Sequence, residues 1–252
     1  MFHNYGGCAV FTKAATPVLI EDYVYRTNQD FKQVWLDEYV GTATNITTPT
    51  ANIPSMDYTE LTYLKGDGNA YINLGITLTQ NDSITVTFQS AYTASTAIFG
   101  YRDSATSNNI MLFYGGSQNS LYMDFNNSEY APYRLGYTQM STGKAYKALL
   151  NKNQRTLFYY DGTQIPGISN TTVCNDNILT GNAYLFFGGG NPTGTTKFSG
   201  SIYNVTIEGR MNLIPVRRNT DGVLGMYDLM SGVFFTNANN VGSFTGGEAV
   251  YD

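Results

Sequence analysis

Charge is what this sequence has least of. Asp, Glu, Lys and Arg make up 13% of its 252 residues, about half the share of an ordinary globular domain. Its 14 basic and 19 acidic residues leave a net charge of −5, and no basic run exceeds Arg217-Arg218. A phosphate-neutralising groove needs clustered cations, so nucleic-acid binding is excluded as a main role. Histidine occurs once, as His3. A hydrolase triad needs a base such as histidine, and His3 reads as an exposed terminal residue. The two cysteines, Cys8 and Cys174, have no CxxC or zinc spacing. They read as two reduced thiols, with a Cys8–Cys174 disulfide as the other reading. No run approaches the roughly 18 apolar residues of a membrane span. A secretory leader is also missing: no basic residue precedes Lys13, and Gly6-Gly7 interrupts the apolar stretch. Acting outside a cell would then require assembly into a larger particle that is released by lysis, or membership of a longer secreted protein.

What the chain does have is aromatic and apolar material in short runs. Hydrophobic residues make up 42%, with 21 Tyr and 14 Phe. Such residues suit β-strands and surfaces that stack on flat partners. From residue 56 on, the runs alternate at a period of two and are cut by Gly, Asp and Asn. Ile84, Val86 and Phe88 alternate with Thr85, Thr87 and Gln89, which predicts a half-buried strand. Tyr71 to Ile76, Ala97 to Tyr101, Leu121 to Phe125, Leu157 to Tyr160 and Ala183 to Phe187 read as further strands. Ile110 to Tyr114 is nearly all apolar and predicts a central strand covered on both sides. Lys65 to Asn69 reads as a loop, and residues 166–182 as a mostly polar connection. Residues 126–138 form the longest irregular stretch. In Ser201 to Ile207, strict alternation puts Tyr203, Val205 and Ile207 on one face and Ile202, Asn204 and Thr206 on the other. Pro215 argues for a strand end or an edge. Thr220-Asp221-Gly222 and Ser231-Gly232 read as turns.

Residues 1–55 differ. Residues 30–40 fit either a short helix or a strand, and 41–54 read as a linker rich in Thr, Asn and Pro. The segment is either an arm that docks on a larger assembly or pairs with copies of itself, or a set of extra strands on the main domain. Trp35, the one tryptophan, is an interface anchor or a core residue accordingly. The division read here is an arm, 1–55, and a β-sandwich, 56–252.

The closing order SGSIYNVTIEG, NLIPVRR, DGVLGMYDLMSGVFFTN and GSFTGG resembles the C-terminal half of concanavalin A-like, laminin-G-like jelly-roll domains of gut bacterial and phage proteins. YLKGDGNAYINLGITLTQNDSITVTFQS is similar to the opening strands of such domains, and STGKAYKALLNKNQRTLFYYDGTQI to their central hairpin. The resemblance covers roughly residues 57–249 and implies an all-β, antiparallel jelly-roll sandwich. That fold hosts lectins, glycosidases, adhesins and spacers alike, so function is read from sites. Sandwich glycosidases carry an ExDxE run, and retaining ones need carboxyls about 5 Å apart. No such run exists here, and Asp124 with Glu129 is the nearest pair in a plausible strand and loop, so no catalytic residue is assigned. Related domains often hold Ca²⁺ at the rim. Asp67 or Asp103 with nearby Asn would serve, though turn formation is the stronger reading and no metal or cofactor is assigned. Gly115-Gly116 and Gly188-Gly189-Gly190 lack the Lys-Ser/Thr and helix of a phosphate cradle. Sequons at Asn45, Asn81, Asn126, Asn170 and Asn204 are expected by chance in so Asn- and Thr-rich a chain.

Sugar rings stack on aromatics and hydrogen-bond to Asn, Asp and Arg. Tyr130, Tyr133, Arg134 and Tyr137 share one loop and are the expected ligand-binding surface; packing of that loop onto the domain is the other reading. The expected function is a non-enzymatic phage virion structural protein of fibre, tail or capsid-decoration type. It would meet host-surface or mucus glycans, attach to other virion proteins through the arm, and form homo-oligomers. The rivals are a glycoside hydrolase with a non-standard site and an architectural module without ligand. The expected location is the virion, or else the bacterial exterior or cell surface.

Overall fold

The structure is a computed structural model. It describes residues 2–5, 8–13, 16–20, 57–91, 95–102, 109–115, 120–126, 134–174, 181–188 and 197–250, with backbone alone for those before 57. The chain divides into two compact units, Met1–Asn52 and Ile53–Asp252. In the first, β1 (Phe2–Tyr5), β2 (Cys8–Lys13) and β3 (Thr16–Ile20) form an antiparallel meander in which Phe2 pairs with Phe11 and Phe11 with Val18. The segment 30–40, Trp35 and the 41–54 linker lie outside the described residues.

The second unit runs through β4 (Tyr58–Glu60), β5 (Leu64–Gly66), β6 (Ile72–Thr77), β7 (Ile84–Gln89), β8 (Thr96–Arg102), β9 (Asn109–Tyr114) and β10 (Leu121–Asn126). It continues with β11 (Leu135–Tyr137), β12 (Ala145–Asn151), β13 (Gln154–Tyr159), β14 (Gln164–Asn170), β15 (Asn182–Gly188) and β16 (Ser201–Ile207). It ends with β17 (Met211–Arg218), β18 (Leu224–Asp228), β19 (Phe234–Phe235) and β20 (Phe244–Gly246). A six-stranded sheet has the order β11-β10-β9-β8-β15-β6. An eleven-stranded sheet has the order β14-β13-β12-β7-β16-β17-β18-β19, with β5 on β16, β20 on β5 and β4 on β17. Every pairing is antiparallel, and the chain repeatedly changes sheet, at β5–β6, β6–β7, β7–β8, β11–β12, β14–β15 and β15–β16. This is a jelly-roll sandwich, the all-β class expected from the sequence.

Alternation builds the core. Ile84, Val86 and Phe88 of β7 are buried while Thr85, Thr87 and Gln89 are half-exposed. They join Ile72, Phe99, Leu112, Met123 and Leu185 from the other sheet in one apolar cluster. Each such side chain contributes about 1.5–3 kcal/mol by leaving water. As expected, the run from Ile110 to Tyr114 is central, between β8 and β10, and buried throughout. Both long sides of the sandwich are clamped. On one, the Asn170 side-chain amide donates to the Arg134 carbonyl at 3.0 Å. On the other, the Ala238 N–H donates to the Tyr71 carbonyl at 2.9 Å. Near one end, Arg210 of the β16–β17 turn donates to both oxygens of buried Asp82 at 2.7 Å and to the Thr77 carbonyl at 3.0 Å.

Five sequence readings need correction. Tyr203 does not share a face with Val205 and Ile207. A bulge lies between Ile202 and Asn204, and an extra residue shifts the phase by one. Ile202 therefore joins Val205 and Ile207 in the core. Pro215 does not end β17, which runs on to Arg218 and pairs Pro215 with Met226. The pairing of β17 with β16 stops at Leu213 and that with β4 starts at Val216, so the missing N–H falls where no ladder bond is required. The Pro215 carbonyl on that side accepts from the Leu61 N–H at 2.9 Å. Lys65 belongs to β5 rather than to a loop, and the 166–182 connection holds most of β14. Inside the supposedly irregular 126–138 stretch lies β11.

Candidate binding face

The outer face of the six-stranded sheet is built of rows set by register. One row runs Gly136, Tyr122, Phe113, Ala97, Phe187. The next runs Asp124, Met111, Gly100, Tyr184, Asn73. Two matched irregularities put them there. In β8 a register shift leaves Ile98 as an extra residue against β9, and Phe186 of β15 has φ +56°. Ile98 and Phe99 both enter the core, as do Leu185 and Phe186, so Ala97 and Phe187 return to the outer face opposite each other. A left-handed φ on a bulky residue costs on the order of 1–3 kcal/mol. Phe186 offsets it by complete burial against Phe198 and Phe244, at ring distances of 6.0 and 5.1 Å.

Ala97, Met111, Phe113 and Phe187 form a buried apolar floor, with half-buried Tyr71, Tyr122 and Tyr184 packed on it. Tyr122 lies 5.4 Å from Phe113, Tyr184 lies 5.8 Å from Phe187, and Tyr71 lies 6.1 Å from Tyr184. Gly115 and Gly136 make room for the Tyr122 ring: a Cβ at Gly136 would stand 3.0 Å from it and one at Gly115 would collide. Over these rings sits Arg134, its guanidinium carbon 5.0 Å from the Tyr122 centroid and 5.5 Å from that of Phe113. Its Nε and one terminal nitrogen each donate to an Asp124 carboxylate oxygen at 2.6 Å, a bidentate clamp. Asp124 is 1% exposed. At the other end the Lys197 ammonium lies 5.5 Å from the Tyr71 centroid. Chemically, the face offers aromatic rings, tyrosine hydroxyls and a guanidinium held in one orientation. That set suits stacking and hydrogen bonding to a flat polyhydroxylated ligand.

Two of the four residues expected to bind ligand are described, and they lie on opposite sides of the sheet. Arg134 is on this face, whereas Tyr137 packs against the core cluster on the inner side. Burial raises the Tyr137 hydroxyl pKa, with Tyr146 and Tyr159 adding to the effect. Tyr130 and Tyr133 lie outside the described residues, as do Glu129 and Asp103. Asp67 is occupied as a turn former: one oxygen accepts from the Asn69 and Ala70 N–H groups, the other from the Ser243 N–H and hydroxyl. Burial pushes its pKa up, but these bonds together outweigh that and hold it below the usual value of 3.8. Buried Asp228 likewise accepts from the N–H groups of Asn212, Met230 and Ser231 and from the Ser231 hydroxyl. Among the described residues no group of three or more His, Cys, Asp or Glu is placed to hold a metal ion. Tyr122 and Tyr184 were missed by the sequence reading. Their signal was faint: Tyr122 and Asp124 alternate with Leu121, Met123 and Phe125, but unbroken apolarity hides the outer side of β9.

No protein-family model and no curated protein matches the chain. Among solved structures it is similar to the mouse laminin alpha1 chain, domains LG4-5, at 16% identity and a TM-score of 0.41. The match covers 63% of this chain and 42% of that one, less than half of the laminin fragment's length.

Proposed function

We propose that the chain is a non-enzymatic structural component of a phage particle that binds host-surface or mucus glycans through the outer face of its six-stranded sheet. The observation that carries this reading is the pair of half-buried rings, Tyr122 and Tyr184, on the Phe113 and Phe187 floor, with Arg134 clamped over Tyr122 by Asp124. Aromatic rings give a sugar its apolar contact, and the preset guanidinium and hydroxyls give orientation. The low-charge composition fits an exposed virion surface, and the first unit, Met1–Asn52, would join the module to other virion proteins and to copies of itself. A bacterial extracellular or cell-surface setting would use the same face in the same way. In a glycosidase, Asp124 would have to exchange protons with substrate; with both oxygens bound by Arg134 it is committed to structure. A glycan array probed with the intact chain tests the reading, alongside an assay for reducing ends released from the retained glycans. Retention without release supports it. No retention leaves an architectural module, and release abolished by Asp124→Asn leaves a hydrolase.

A further inference from the structure

The opposite outer face, on the eleven-stranded sheet, has its own aromatic cluster and a charge of the other sign from the chain as a whole. Strands β14, β13, β12, β7, β16 and β5 lie side by side and contain no Asp or Glu, although the chain's net charge is −5. Their outward positions include Thr85, Thr87, Gln89 and Asn204, all half-exposed. Two exposed lysines join them. Lys147 is in register with Thr87, and Thr87 with Asn204. Lys65 is in register with Ser201, and Ser201 with Gln89. Between these rows the bulge of β16 turns Tyr203 outward. Its ring meets Tyr160 at 5.5 Å and Tyr63 at 6.1 Å. The cluster roofs this part of the sheet, where Ser201 is 1% exposed, yet Tyr160 is 45% exposed. Among the described residues, none of the three hydroxyls donates to or accepts from another group. The nearest acid in sequence, Asp161, accepts from the Thr163 N–H in the β13–β14 turn.

We infer that the Tyr63, Tyr203 and Tyr160 cluster with Lys65 and Lys147 is a second binding site, for an acidic polysaccharide whose carboxylates meet the lysines while its rings stack on the tyrosines. Charge selects the ligand. A neutral sugar gains nothing from two cations on strands that carry no acid, whereas a carboxylated chain is drawn to them and repelled elsewhere by the chain's net negative charge. Tyrosine bodies supply the ring contacts, and their open hydroxyls supply hydrogen bonds. The bulge is what makes the site: without it, alternation would turn Tyr203 toward the core. This site is independent of the six-stranded face and does not rest on the function proposed for it.

Affinity electrophoresis of the full chain tests the assignment, through gels containing polygalacturonate, polysialate, or fully methyl-esterified polygalacturonate. The expected result is retardation by the two acidic polymers, weakened by salt, and none by the ester. The double variant K65Q/K147Q should bind the acidic polymers at least tenfold more weakly, and Tyr203→Ala should lose binding comparably. Both lysines are exposed, so their double variant should melt with the wild type, and melting temperature is the control for Tyr203→Ala. Equal retardation by the ester and the acid would overturn the inference. So would full retention in K65Q/K147Q, loss only on changing Arg217 and Arg218, or no retardation by either acidic polymer.

Discussion

Asp124 and Arg134 show why removing one member of a buried pair costs more than the pair contributes. Asp124 is 1% exposed and its partner's side chain 17%. Asp124→Asn would leave a guanidinium held over two rings with no counter-charge. It should lower stability by about 3 kcal/mol, roughly 6–12 °C in melting temperature for a domain of this size. Arg134→Lys should cost a comparable amount, because an ammonium cannot reproduce the two-point fork. Thermal unfolding of both variants is the check, and unchanged melting would show the clamp to be energetically idle. Asp67 gives a pH-dependent case. Its folded pKa lies below the usual value of 3.8. Its contribution is therefore complete above that value and is lost as pH falls through the folded one. The difference in denaturant midpoint between wild type and Asp67→Asn should be largest near about pH 7 and shrink toward about pH 3. A constant difference across that range would remove the carboxylate's charge from the explanation. The sequence placed Arg134 among candidate ligand residues, yet its partner lies ten positions earlier. Only the β10–β11 pairing, Met123 with Leu135, makes them neighbours.

Strands obey alternation until an extra residue enters, and the extra residues here are where side chains are re-aimed. β7 was legible residue by residue because nothing interrupts it. β16 was misread because one bulge flips Tyr203 against Val205; β15 was legible as a strand, but the left-handed φ of Phe186 hides which of its residues face the core. Neither event has a local signature in residue type, since Gly is the usual marker. Gly100 is the marked case. Its φ is +135°, and a Cβ there would strike the Ile110 carbonyl oxygen. Gly100→Ala should therefore cost about 3 kcal/mol or more, adding strain to overpacking. Urea unfolding would measure it, and a cost below about 1 kcal/mol would mean that the β8–β9 bulge is soft. Pro215 teaches the complementary point. A strand interior accepts proline where its neighbour changes, here between β16 and β4.

The sandwich class was legible from composition and short alternating runs, because a chain with many half-apolar strands must stack two sheets to cover them. The partners across each sheet were not, since pairing such as β8 with β15 joins residues far apart in sequence. Stability should follow that architecture. Amides of the central strands β7, β9, β12 and β16 should exchange slowest, and those of β6, β11, β14 and β19 at the sheet margins fastest. Hydrogen exchange with mass spectrometry would read this directly, and margins as protected as the centre would mean that the two side clamps make the sandwich one cooperative unit. The outer face of the six-stranded sheet carries the proposed function. Calorimetric titration of an array-retained glycan into the wild type and into Tyr122→Ala settles its use. Affinity should fall at least tenfold in the variant, with its fold intact by circular dichroism. An unchanged affinity would place recognition elsewhere and contradict the assignment.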